Sequence, residues 1–139
     1  MPVSTKSFTV KTNGYCDVID VTDKVQEAVT DSGIENGIAT IFICGSTAGI
    51  TTLEYESGAV ADLQKMIERI VPQGEEYQHN LKWHDGNGFS HVRAALSKAS
   101  LTVPFSDSKL LLGSWQQIVV LDFDNRTRNR KVIVQVLGE

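Results

Sequence analysis

The succession of elements along this chain predicts an α+β fold built on a mixed, mostly antiparallel sheet with two to three helices. Three observations lead there. Runs rich in β-branched and aromatic residues outnumber helical ones; they follow the order ββα, ββα, α, ββββ; and neither a strict β-α alternation nor an internal repeat appears, which disfavours a doubly wound sheet. With 139 residues, 41% of them hydrophobic and 22% charged, the chain has the size and make-up of one globular domain, residues 1–139.

Residues 3–12 and 16–21 read as strands around the turn signal NGY at 13–15, most simply a hairpin. Thr22 is placed to cap a helix in which Val21, Val25, Ala28 and Val29 fall at helical spacing and which Gly33 closes. GIATIFIC, residues 37–44, is apolar on both faces and suits a central strand, with AGITTLEY, 48–55, as its neighbour. Ser57 is placed to cap a second helix whose Val60, Leu63, Ile67, Ile70 and Val71 form one apolar stripe that Pro72 ends. Residues 73–88 are polar and without period, a loop near the upper length for a compact domain. A third helix, with Phe89, Val92, Leu96 and Ala99 on its buried side, precedes four strands: LTVPF, KLLLG, QIVVLDF and KVIVQVL.

The formal net charge of −4 argues against a nucleic-acid role, because phosphate-backbone binding usually needs a broad basic face. No apolar run reaches the roughly 18 residues that span a bilayer, and the first residues lack the apolar core of a signal peptide, so no membrane role and a cytoplasmic location are expected. Cys16 and Cys44 lack CxxC spacing and read as reduced, buried thiols.

All three histidines fall between His79 and His91. In DGNGFSH, Asn87 stands where a helix N-cap would, able to accept the Ser90 amide, and that alone would be a purely structural role. Gly86 and Gly88, however, allow close approach of a ligand, a helix N-terminus offers free N–H groups to an anion, and His91 lies one turn further on. Together they resemble a place for a phosphate or carboxylate with an imidazole alongside to move protons near neutral pH. A divalent metal held by the histidines and Asp85 is the other use of these side chains, although positions 79, 84 and 91 match no familiar ligand spacing. His84 alone reads as a solvated loop residue.

The turn GSTAGIT, residues 45–51, follows a buried strand and offers Ser46 and Thr47 hydroxyls and backbone amides to an oxyanion; its bland role is a bulge or tight turn. Further on, Gln116, Asp122 and Asp124 are evenly spaced and would share one strand face, where polar groups need partners. Trp115 beside them reads, taken alone, as a core aromatic. Arg126, Arg128 and Arg130 also alternate, a pattern that is commonly a solvated edge or a subunit contact and more rarely a phosphate site.

The closing stretch SLTVPFSDSKLLLGSWQQIVVLDFDNRTRNRKVIVQV, the pairs Tyr77 and His79 then Asn87 and His91, and Ser46, Thr47 and Ala48 followed by Glu54 resemble the YjbQ-like family over nearly the whole chain. The family usually has GTWQ where Gly113, Ser114, Trp115 and Gln116 stand here, and many members carry histidine where this chain has Gly45 and often where it has Phe89. The resemblance implies a sheet bent towards a sandwich, a homotrimer, and a secondary thiamine-phosphate synthase activity, joining a hydroxymethylpyrimidine diphosphate to a thiazole phosphate with loss of pyrophosphate. On that reading His79, His91 and Gln116 are catalytic, and Ser46, Thr47, Asn87, Glu54 and Arg126 bind a small phosphorylated metabolite. The rivals are a non-catalytic trimer that binds such a metabolite with the same residues, and a metal-dependent hydrolase using His79, His91 and a carboxylate.

Overall fold

A computed structural model describes residues 1–139. Its strands are β1 (Val3–Thr12), β2 (Asp17–Asp20), β3 (Gly37–Ile43), β4 (Ala48–Leu53), β5 (Ser100–Ser106), β6 (Lys109–Leu110), β7 (Gln117–Asp122) and β8 (Arg128–Gly138). The helices are α1 (Thr22–Ser32), α2 (Ser57–Ile70), α3 (Gln78–Trp83) and α4 (Gly88–Ser97). The strands form two sheets, ordered β1-β8-β3-β5-β6 and β2-β7-β4. Every strand pair is antiparallel, so the α+β class is as expected but no parallel pair occurs.

The main core lies between the sheets. Ala39, Ile41 and Ile43 of β3 and Val132, Val134 and Val136 of β8 meet Ile50 of β4 and Ile118 and Val120 of β7, with Val25, Ala28 and Val29 of α1 packed into the same cluster. Alternation explains this: the odd residues of β3 and the even residues of β8 share a face. The other face of β7 carries Val119 and Leu121, which with Cys16, Val18, Phe123 and Ala94 form a second cluster under α2. β3 is central, as its sequence predicts, yet Ile38 and Phe42 on its outer face are exposed.

Several local expectations change. β1 and β2 are no hairpin; each pairs in a different sheet, because Asn13–Cys16 carries the chain across the sandwich. Thr22 is the first helical residue rather than the cap, its hydroxyl accepting the Ile118 amide, and Glu56 rather than Ser57 caps α2 through the amides of Gly58 and Ala59. Part of the loop expected at 73–88 is α3. On α4 the buried residues are Gly88, Phe89, Ser90, Arg93 and Ala94, whereas Val92 and Leu96 face outward. Arg93 turns inward because it donates to the Val71 carbonyl and Glu68 and lies over the Phe89 ring. Trp115 is 74% exposed rather than in the core. No helix is long and apolar enough to cross a membrane.

Candidate functional site

Three crossings between the sheets, β1 to β2, β3 to β4 and β7 to β8, lie at the same end of the sandwich. Register places them there: Ile43 lies opposite Val132, Ala48 opposite Asp122, Asp17 opposite Asp122, and Thr12 opposite Arg128. Backbone bonds stitch the crossings together, with Phe123 N–H donating to the Thr47 carbonyl, Tyr15 N–H to that of Asp124, and Cys44 N–H to that of Lys131. Sequence elements far apart in the chain are thereby gathered at one mouth.

Inside this end sits a buried polar network. Asp122 and Asp124 are 0% exposed and Arg130 7%. Arg130 holds Asp122 with Nε to Oδ2 at 2.6 Å and Nη2 to Oδ1 at 3.0 Å, and Nη2 also donates to the Thr47 hydroxyl. Thr12 donates its hydroxyl to Asp122. Asp124 accepts from Thr47 Oγ1 at 3.0 Å, Arg128 Nε at 2.9 Å and Asn87 Nδ2 at 3.3 Å. Burial pushes the Asp124 carboxyl up, but hydrogen bonds from Arg128, the Asn125 amide, Asn87 and Thr47 outweigh it and hold the group down at about 2. Gly45, at φ +127°, completes the turn; a Cβ there would stand 2.6 Å from Arg130 Nη1, so the guanidinium fills the space a side chain would take.

The imidazoles lie above this network. The His79 and His91 ring centroids are 4.2 Å apart, tilted by 38°. Burial lowers the His91 pKa from 6.5 and the neighbouring His79 lowers it further, against smaller opposing effects from Asp85, Asp124 and the Ser46 backbone. His91 therefore favours its neutral form at neutral pH. His79 Nδ1 lies 3.3 Å from Asp85 Oδ1, but closes no hydrogen bond with it. Asn125 Nδ2 donates to the Asp85 carbonyl and ties the histidine loop to the β7–β8 crossing.

The structure thus brings together Ser46, Thr47, His79, Asn87 and His91. Asn87 takes the N-cap position of α4, but its side chain makes no cap bond: Ser90 N–H bonds the Asn87 backbone carbonyl, and the first helical amide, Gly88, is taken by Asn80 Oδ1. A Cβ on Gly88 would stand 2.5 Å from that of Tyr77, so this end of the helix is packed rather than open to an anion. Gln116 and Glu54 lie elsewhere. With Leu53 opposite Gln117, they sit at the far end of the β4–β7 ladder, five residue steps or roughly 16 Å away. Gln116 there bonds Thr52 and Gly113. Arg126 is exposed, and the arginines that enter the site are Arg128 and Arg130. Those two, with Asp122 and Asp124, are the residues the sequence reading placed on solvated or generic polar faces. The available signal was two acids and two arginines alternating on either side of one short link, DFDNRTRNR, which is complementary if the link folds back inside a sandwich. No three or more His, Cys, Asp or Glu side chains converge as a metal ligand set, so the donors present do not fit a closed metal site.

Residues 6–139 match the family model described as UPF0047 protein YjbQ-like. Among relatives, the chain is 37% identical over 139 residues to a UPF0047 protein of Methanothermobacter thermautotrophicus, covering all of this chain and 95% of that one. It is 35% identical over 130 residues to a UPF0047 protein of Archaeoglobus fulgidus, covering 94% and 98%. The fold superposes on a solved YbjQ-like protein of unknown function from Sulfolobus solfataricus with a TM-score of 0.94 at 33% identity, covering 99% of each chain. A solved protein of Aeropyrum pernix gives 0.90 at 33%, covering 98% and 99%. Matching in sequence over nearly its full length and in fold throughout, this chain belongs to the UPF0047 YjbQ-like family.

Proposed function

We propose that the cleft over the sheet crossings binds and transforms a small phosphorylated metabolite, with His91 as the hydrogen-bonding and proton-transfer group. One observation carries this: the two imidazole centroids lie 4.2 Å apart beside the Ser46–Thr47 turn, and burial and the neighbouring ring favour the neutral form of His91. A neutral imidazole has one N–H donor and one acceptor, which suits assistance to a leaving phosphate. The finer form is the thiamine-phosphate synthase reaction. There the bond from the pyrimidine methylene carbon to the diphosphate oxygen breaks, its electron pair leaves with pyrophosphate, and the thiazole ring nitrogen bonds to that carbon. His91 and the hydroxyl of Ser46 are the donors for the departing oxyanion.

The free thiols Cys16 and Cys44 go with a cytoplasmic enzyme. Nucleic acid is not the partner we propose, since Arg128 and Arg130 are paired with buried carboxylates. The assembly proposed is a homotrimer, supported by the apolar Ile38 and Phe42 left exposed on the outer sheet face; a partner is also the means by which Gln116 can approach the cleft. A metal-dependent hydrolase is less favoured by the donor set described above.

The test is turnover of a hydroxymethylpyrimidine diphosphate with a thiazole phosphate by the wild type and by His91→Ala. Loss of turnover with melting temperature nearly unchanged supports the proposal. A variant that melts several degrees lower yet keeps its activity overturns it.

A further inference from the structure

Across the whole chain, two buried side-chain polar atoms have no hydrogen-bond partner, Asn87 Oδ1 and His79 Nδ1. Both lie where the histidine loop meets the sheet crossings. Folded proteins leave few such groups unpaired, and those that remain call for a reason. We propose that the ligand presents a hydrogen-bond donor, an O–H or N–H, to Asn87 Oδ1, and that Asp124 is the positioning residue that fixes Asn87 for this contact. The inference rests on the cleft being a ligand site and adds the chemical class: a phosphate ester that also carries a hydroxyl or amino group.

The orientation of Asn87 follows from its neighbours. An ionised carboxylate only accepts, so Asp124 Oδ1 must face the amide nitrogen of Asn87, as the 3.3 Å contact has it. Turning the amide over would set two acceptors face to face. Asp124 in turn is held by Thr47, Arg128 and the Asn125 amide, so it does not yield. The backbone of Asn87 is equally fixed, its carbonyl accepting from both the amide and the hydroxyl of Ser90. Asn87 is 8% exposed, and its oxygen, itself buried, is left as an oriented acceptor without a partner. A ligand made only of acceptors, such as a fully ionised alkyl phosphate, would be repelled there; one with a donor gains a bond to an acceptor already oriented by its neighbours.

The experiment uses the full-length protein, labelled with 15N, at pH 8, where a phosphate ester carries no proton of its own. The Asn87 side-chain amide signals are followed during titration with glycerol 3-phosphate, n-propyl phosphate and glycerol. The expected result is that glycerol phosphate binds about tenfold or more tightly than propyl phosphate and shifts the Asn87 signals. Asn87→Ala should remove that preference while its melting temperature shows that it folds, and Asp124→Asn, which frees the amide to turn, should weaken it. Equal affinity of the wild type for the two phosphates overturns the inference, as does a preference that survives in Asn87→Ala. If neither phosphate binds but glycerol still shifts Asn87, the donor assignment stands and the phosphorylated-metabolite reading falls. If none of the three moves the Asn87 signals, the oxygen is satisfied by water or by the protein in solution, and the inference fails.

Discussion

Arg130 grips Asp122 in two places, Nε to Oδ2 and Nη2 to Oδ1, between the sheets and nearly out of contact with water. Breaking such a pair from one side leaves an uncompensated buried charge, whereas replacing both partners removes the need for compensation. Arg130→Met should therefore cost about 3–5 kcal/mol of unfolding free energy, measured by urea denaturation. The double variant Arg130→Met/Asp122→Leu should recover part of that loss. A single variant within about 0.5 kcal/mol of wild type, the scale of an ordinary surface substitution, would show that the pair is solvated.

That pair also marks the limit of what the sequence discloses. The α+β class, the central β3 and the apolar stripes of α1 and α2 follow from local periodicity, which depends only on neighbours along the chain. Which sheet a strand joins does not. NGY at 13–15 reads as a hairpin turn because Gly and Asn turn tightly, yet Tyr15 and Cys16 both take positive φ and the segment crosses to the other sheet, bonded to Asp124. The same crossings decide the site. Ser46, Thr47, Asn87 and the histidines were legible because small, polar and imidazole side chains cluster in short motifs. Arg130 was not, since alternating arginines look like a solvated edge until the partner carboxylates on β7 are known to face them. Trp115 and Leu96 failed for a related reason: apolarity predicts burial only if something in the same chain covers the residue.

Arg93 supplies a second test of polar stapling. None of the α2 residues is fully buried, and the end of this helix is held by Arg93, itself buried, through Glu68 and the Val71 carbonyl. Arg93→Met keeps the stem but loses these bonds. We expect amide exchange in α2 to accelerate by about an order of magnitude relative to β3 and β8, because few apolar contacts remain to keep local opening rare. Uniform acceleration across the protein would instead place Arg93 in the global core.

The lowered pKa of His91 fixes a sign for the pH dependence of stability. Its folded value lies below the 6.5 of an ordinary histidine, so on acidification the unfolded chain takes up a proton that the folded one resists. The contribution is fully present above pH 6.5 and is lost as pH falls through 6.5 towards the folded value. Asp124 does not share this window, since its carboxyl stays ionised to about 2. The melting temperature should fall between pH 7.5 and 5.5, and His91→Gln should flatten that slope. An unchanged slope in the variant would mean that His91 is not the group responsible.

The last prediction concerns the outer face of the five-stranded sheet. Register sets Ile38 between Pro104 and Leu137, with Val3 beyond, and Phe42 beside Ile133, so apolar side chains run across β5, β3, β8 and β1. Ile38 is 41% and Phe42 43% exposed; the polar row Thr102, Thr40, Gln135 and Thr5 separates the Ile38 row from Phe42, and two exposed apolar groups on one sheet face suit a partner surface. If copies of the chain associate through it, the wild type should sediment as a trimer at micromolar concentration. Phe42→Lys sets a charge on this outer face without touching the inward-facing Ile41 and Ile43, and should shift the protein to monomer with its circular dichroism preserved. A wild type that is monomeric would remove the assembly proposal, and with it the route by which Gln116 could reach the cleft. A Phe42→Lys protein that stays trimeric would move the interface to another face, with the exposed Trp115 beside Gln116 as the next residue to replace.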